Sequence, residues 1–177
     1  DFVLTNGGGI RDTFPAKSYV PVDTKLVRTG TGALDVTLGD ALTVYPFGNQ
    51  VATTVVTGEN LWKALENGVK AWPAGGEFPQ ISGFKFTFDP TKAVGSRIVS
   101  VTKDDGTAIA KDQTVYTLTT LDFIIYGGDG YANVFSPSKA KVFGALLDVF
   151  TDALKADLAA GKVTQLPALD GRVKKVG

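Results

Sequence analysis

The sequence predicts an α+β domain, a mixed β-sheet with helices packed on it, and three observations carry that prediction. Period-two alternation marks strands, most clearly where Phe84, Phe86 and Phe88 flank Lys85 and Thr87. Apolar residues recur at helical spacing at Leu61, Ala64, Leu65 and Val69, and again from Val142 to Leu158. No internal repeat, low-complexity tract or interdomain linker divides the 177 residues, 44% of them hydrophobic, so 1–177 reads as a single domain with an ordinary core.

The elements follow in order. Phe2-Val3-Leu4 reads as a strand that empties into Asn6-Gly7-Gly8-Gly9-Ile10-Arg11. Asp12 to Val22 holds Pro15 and Pro21 and reads as an extended connection. Thr37-Leu38-Gly39-Asp40 resembles a capping box with Asp in the third position, opening a short helical turn before Leu42 to Tyr45, and Pro46-Phe47-Gly48-Asn49 breaks it. Val51 to Val56 is rich in β-branched residues and predicts a strand, after which Thr57 caps a helix expected to end around Trp72-Pro73. Gly75-Gly76 is a loop.

Past the alternating phenylalanines, Ile98 to Val101 predicts another strand, and Asp104-Asp105-Gly106 a turn before Ala108-Ile109. Val115 to Thr120 predicts a strand leading into Leu121-Asp122-Phe123 and a second glycine cluster, Gly127-Gly128-Asp129-Gly130. A long helix is expected from about Ser138, with Val142, Leu146, Val149, Phe150, Ala153, Leu154 and Leu158 as its apolar stripe and Gly161 as its stop. A last short strand falls near Gly171-Arg172-Val173.

Composition removes several function classes. Eighteen basic and eighteen acidic residues cancel, so no global field draws the chain to a nucleic acid polymer or an anionic membrane. No run approaches the roughly 18 apolar residues of a membrane span. The chain has no Cys and no His. It therefore lacks disulfides, thiolates, the commonest metal ligand and the commonest general base. A chain without these residues is not expected to run hydrolytic or metal chemistry alone. Carboxylate-only catalysis stays formally open, although no Asp or Glu pair stands out.

Three loops carry the candidate chemistry: Asn6 to Arg11, Pro46 to Asn49, and Phe123 to Tyr131. Each follows a strand-like run and combines glycine with an aromatic, charged or amide side chain, and loops at one end of a sheet are where ligand sites gather. Phe47 and Phe123 offer π faces to a flat heterocycle. Asp129 can accept hydrogen bonds from a vicinal diol, Arg11 supplies charge for a phosphate, and Asn6 and Asn49 both donate and accept. Plainer readings compete at each position. The glycine run suits a hairpin corner, either Phe suits a core, Asp129 suits a turn bonding its own backbone, and Arg11 suits a solvated pair with Asp12. The run is neither a P-loop nor a Gly-x-Gly-x-x-Gly fingerprint.

Four blocks change that balance: Asn-Gly-Gly-Gly-Ile-Arg at Asn6 to Arg11, Pro-Phe-Gly-Asn at Pro46 to Asn49, Phe-Pro-Gln-Ile-Ser-Gly at Phe78 to Gly83, and the Phe-x5-Asp-Gly-Tyr pattern from Phe123 to Tyr131. In this order and spacing they resemble the C-terminal domain of the 5'-nucleotidase family over residues 1 to about 135, with the following helix also fitting. The resemblance implies that Phe47 and Phe123 sandwich a nucleobase and that Asp129 holds ribose hydroxyls. It places Asn6 and Arg11 on the ribose and phosphate side and Asn49 near the base edge. It makes Gly83 a glycine that lets backbone approach the base.

The same resemblance implies that hydrolysis belongs to a separate N-terminal metallophosphoesterase domain carrying two divalent metal ions, such as zinc or manganese, with no cofactor bound by this chain. That domain, together with the first helix of the C-terminal domain and a further Arg, is expected upstream of Asp1. The implied partners are a nucleotide or nucleoside substrate and that N-terminal domain, and the implied address is extracellular or periplasmic. Phe at both stacking positions leans toward the 5'-nucleotidase branch. A 2',3'-cyclic nucleotide phosphodiesterase, a nucleotide-sugar hydrolase, a broad phosphatase and a non-catalytic nucleoside-binding module are the alternatives.

Overall fold

The computed structural model of the chain describes residues 1–30, 33–162 and 169–177. A five-stranded sheet is ordered β3-β1-β6-β2-β7. Its strands are β1 (Phe2–Asn6), β2 (Gln50–Thr57), β3 (Pro79–Ser82), β6 (Val115–Leu121) and β7 (Lys141–Ala145). A three-stranded sheet, ordered β5-β4-β8, combines β4 (Phe84–Phe88), β5 (Ile98–Lys103) and β8 (Val173–Lys175). Helices α1 (Leu38–Val44), α2 (Gly58–Gly68), α3 (Asp122–Ile125) and α4 (Leu146–Ala159) complete the α+β architecture.

The core lies where both sheets and α2 meet. Leu61, Ala64 and Leu65 of α2 are fully buried, and so are Leu4 of β1, Phe84 of β4 and Leu118 of β6. Phe84, Phe86 and Phe88 all face inward, as their alternation predicts. Phe84 meets Phe2 edge-on at 5.1 Å between ring centroids, and Phe88 meets Trp72 at 5.2 Å. Such contacts add roughly 0.5–1.5 kcal/mol to the burial itself.

Direction decides where the loops go. β1 runs parallel to β6, whereas β2 is antiparallel to β6 and β3 antiparallel to β1. The ends of β1 and β6 and the starts of β2 and β3 therefore share one edge of the sheet. The residues after Asn6, before Gln50, before Pro79 and after Leu121 converge there.

Capping matches the sequence closely at α1, where the Thr37 side chain accepts from the Asp40 backbone and Asp40 accepts from the Thr37 N–H at 2.7 Å. Asp40 is fully buried and does more than cap. It also accepts from the Ala16 N–H at 2.8 Å and pairs with the Arg28 guanidinium, which ties the irregular stretch between β1 and α1 to the helix. Arg28 holds the Asp40 carboxyl well below the usual carboxylate range, with the Thr37 and Ala16 bonds acting in the same sense against the cost of burial.

Two expectations need correction, and one strand was missed. The long helix expected from Ser138 is a tight turn at Pro137–Lys139 and then strand β7, and α4 begins only at Leu146. The edge of β2 was open to a partner, so Val142 pairs there with Ala52 as a strand residue rather than starting the helical stripe. Helix α2 stops at Gly68 and not near Trp72: the chain tightens into a turn in which the Lys70 N–H donates to the Asn67 carbonyl, and the Arg97 guanidinium takes the Val69 and Lys70 carbonyls just past the helix at 2.7 and 2.8 Å. The strand β3 was not anticipated. It is four residues long, starts on a proline and lies on the sheet edge, where a missing N–H costs nothing.

Candidate functional site

A cleft of about 470 Å³ opens at the shared sheet edge. Asn6, Gly8, Gly9, Arg11, Phe47, Asn49, Gly76, Phe123 and Asp129 line it. All the predicted site residues except Gly83 are brought together here from separate parts of the sequence. The volume lies in the range of small-molecule sites.

The floor is backbone. Gly7 to Gly9 form a tight turn, in which the Gly7 N–H donates to the Phe78 carbonyl and the Gly8 N–H to the Gly76 carbonyl, both at 2.7 Å. A Cβ on Gly8 would sit 2.8 Å from the Gly76 Cα, and one on Gly76 would point toward Gly8 and the Asp129 carboxylate. The two glycines are in direct contact, and at Gly8 the approach leaves no room for a side chain. Gly76 lines the cleft although the sequence reading placed it only in a loop. The signal was present in the Gly75-Gly76 pair, which reads as an ordinary loop until strand pairing sets it beneath Gly8.

Gly83 lies elsewhere. It follows Ser82, which pairs with Val3 near the start of β1, whereas the cleft lies at Asn6. At about 3.3 Å per residue the two ends are roughly 10–13 Å apart. Glycine is required at 83 for a local reason, a φ of +84° and a Cβ position occupied by the Asp1 carbonyl.

Two aromatic rings flank the cleft. Phe47 is 59% exposed and Phe123 41% exposed, so neither serves the core. The Arg11 guanidinium lies 5.7 Å from the Phe47 ring centroid and donates to the Gly8 carbonyl at 3.1 Å. The pairing of Arg11 with Asp12 is not made, since the Asp12 carboxylate accepts from Ser18 and Thr13 instead. These bonds, Ser18 foremost, hold the Asp12 carboxyl below its ordinary range. Asn49 fixes the opposite side through its carbonyl, which accepts from the Leu146 N–H at 2.8 Å where α4 begins.

Asp129 does not bond its own backbone as a turn residue would. The Asn6 side chain donates to Asp129 Oδ2 at 2.6 Å, with Asn6 only 3% exposed at the end of β1. Behind this pair, Tyr131 is completely buried and its hydroxyl donates to the Glu77 carbonyl at 2.7 Å. Burial pushes the Tyr131 phenol up, so the group stays a donor at all ordinary pH. The arrangement presents stacking surfaces, a cation and a carboxylate around one space. It can bind and orient a flat, polyhydroxylated anion.

The residues do not fit a metal centre. Among the described residues no group of three or more His, Cys, Asp or Glu side chains could hold a metal ion. No helix among them is long and apolar enough to cross a membrane.

Comparison with known proteins agrees on one family. Residues 1–137 match the family model described as 5'-nucleotidase, C-terminal domain. The chain is 34% identical over 179 residues to the trifunctional nucleotide phosphoesterase protein of Bacillus subtilis, a match covering 98% of this chain and 11% of that protein. It is 32% identical over 165 residues to a cell wall protein of Listeria monocytogenes, covering 92% of this chain and 19% of that one. Among solved structures, the 5'-nucleotidase precursor of Thermus thermophilus superposes with a TM-score of 0.74 at 29% identity, over 99% of this chain and 31% of that one. The chain thus spans less than a third of each of these proteins.

Proposed function

The chain belongs to the 5'-nucleotidase C-terminal domain family, and on that membership we propose that its cleft binds the substrate of a nucleotide-hydrolysing enzyme. Phe47 and Phe123 stack on the nucleobase, with Asn49 toward its edge. Asp129, held by Asn6, accepts from the ribose hydroxyls, and Arg11 carries the phosphate side. The observation that supports this most is the convergence of exposed aromatics, a cation and a carboxylate on one cleft, although the sequence separates them by as many as 123 positions. Stacking contributes about 1–3 kcal/mol per base and tolerates different bases.

Phosphate release is assigned in this reading to a separate N-terminal metallophosphoesterase domain with two divalent metals such as zinc or manganese. This chain's own part is to bind and orient the substrate. Extracellular or periplasmic placement is part of the same proposal, in keeping with the cell wall relative.

Calorimetric titration with AMP and with ribose 5-phosphate tests the reading. AMP is expected to bind at least tenfold more tightly, because only AMP engages the two rings, and equal affinity would overturn base stacking. Turnover of AMP, a 2',3'-cyclic nucleotide and a UDP-sugar by the full-length protein then sets the substrate class. The trifunctional relative makes more than one active substrate a reasonable expectation.

A further inference from the structure

The carboxylate at the cleft sits on a backbone that does not hold itself in place. Asp129 has φ +51° and ψ 28°, between Gly127 at φ +98° and Gly130 at φ +82°. A non-glycine residue in the left-handed region is tolerated by Asp but costs on the order of 1 kcal/mol, and it persists only where surrounding contacts enforce it. One such contact is the Asn6 bond to Oδ2. The other comes from a residue outside the cleft. Asn67, in the last turn of α2, donates from Nδ2 to the Asp129 main-chain carbonyl at 3.0 Å.

Asn67 is itself oriented. Lys70 donates to Asn67 Oδ1 at 2.9 Å, which settles which end of the amide faces the loop, and Glu77 lies 4.0 Å from the same ammonium group. The space is filled on the loop side as well, since a Cβ on Gly130 would lie 2.8 Å from both Asn67 Oδ1 and Lys70 Nζ. An amide with its acceptor end occupied and its donor end on a strained carbonyl leaves Asp129 little freedom to rotate.

From this geometry we infer that Asn67, oriented by Lys70, is a positioning residue for Asp129. It pins the left-handed backbone so that the carboxylate, steadied by Asn6, meets a vicinal diol in the cleft. The inference rests on the proposed nucleotide-binding function and adds a determinant of ribose selectivity that touches no ligand. Charge-assisted bonds to a diol weaken steeply when the acceptor is misaligned. Loss of Asn67 therefore affects diol-bearing ligands selectively, whereas plain destabilisation weakens all ligands alike.

The test compares adenosine with 2',3'-dideoxyadenosine by calorimetry on the wild-type chain and on two variants. Asn67→Asp keeps an acceptor for Lys70 but removes the donor to the Asp129 carbonyl. Lys70→Met leaves the Asn67 amide free to flip. The wild type is expected to favour adenosine by about tenfold or more. Asn67→Asp should reduce that ratio to within about threefold, mainly by weakening adenosine, with Lys70→Met between the two. A ratio preserved in both variants overturns the positioning role and leaves the binding function standing. A wild-type chain indifferent to the diol overturns the ribose reading, and this inference falls with it.

Discussion

The two aromatic walls of the cleft are built to different standards. Phe123 opens α3, where Asp122 accepts from the Phe123 N–H at 2.8 Å and from the Gln50 N–H at 2.9 Å, fixing the helix start to the neighbouring strand. Its ring lies directly against Gly128, and the loop behind it is tied to Asn6, Asn67 and Glu77. Phe47 stands on the Pro46–Asn49 turn, which bends at Gly48 with φ +67° and nothing within 4 Å of the missing side chain. Its one specific contact among the described residues is the Arg11 guanidinium. The difference teaches that one wall is ready before a ligand arrives, while the other loses freedom on binding and returns less net affinity.

The largest expected effect tests what stiffness the Phe47 side has, because α1 leads directly into its turn. Asp40→Ala strips the buried carboxylate from Arg28, Thr37 and Ala16, and should destabilise the chain by about 3 kcal/mol in urea unfolding. The pH dependence follows the depressed carboxyl. The contribution of Asp40 is complete above about pH 4, where an unfolded Asp ionises, and declines as pH falls toward the lower folded value. Wild-type stability should therefore fall on acidification below pH 4, and Asp40→Ala should flatten part of that slope.

Next in size is Phe123→Ala, expected to cost about 2 kcal/mol of AMP affinity with little change in Tm, since the ring is exposed. Gly128→Ala sharpens the comparison without touching the ligand. Its φ lies outside the left-handed region, so the backbone accepts Ala, but the new Cβ meets the Phe123 ring. An affinity loss of about 1 kcal/mol is expected as the ring is displaced. Phe47→Ala should cost no more than Gly128→Ala, at the low end of the stacking range and about half the Phe123 effect. Equal losses at Phe47 and Phe123 would show that the mobile wall is not a lesser one.

The sequence carried the cleft better than it carried its supports. Glycine, aromatic and charged residues at strand ends leave a local signature, so Asn6, Arg11, Phe47, Asn49, Phe123 and Asp129 were legible. Their convergence follows from strand direction, which no local pattern records. The same gap explains why Gly76 was read only as a loop while Gly83 was grouped with the cleft residues, because only the antiparallel pairing of β3 with β1 says which end of β3 faces the cleft. Asn67 and Lys70 look like ordinary polar residues near the end of a helix. The boundary between β7 and α4 failed for a related reason, since Val142 fits a helical stripe until a free strand edge claims it.

Ring-current shifts of bound adenosine test the central claim most directly. Protons of a base held between two phenyl faces move upfield on binding, and both H2 and H8 are expected to do so with the wild-type chain. Phe123→Ala should remove most of that shift and Phe47→Ala a smaller part. An adenosine that binds with no upfield movement, or with movement unchanged in Phe123→Ala, would contradict the account.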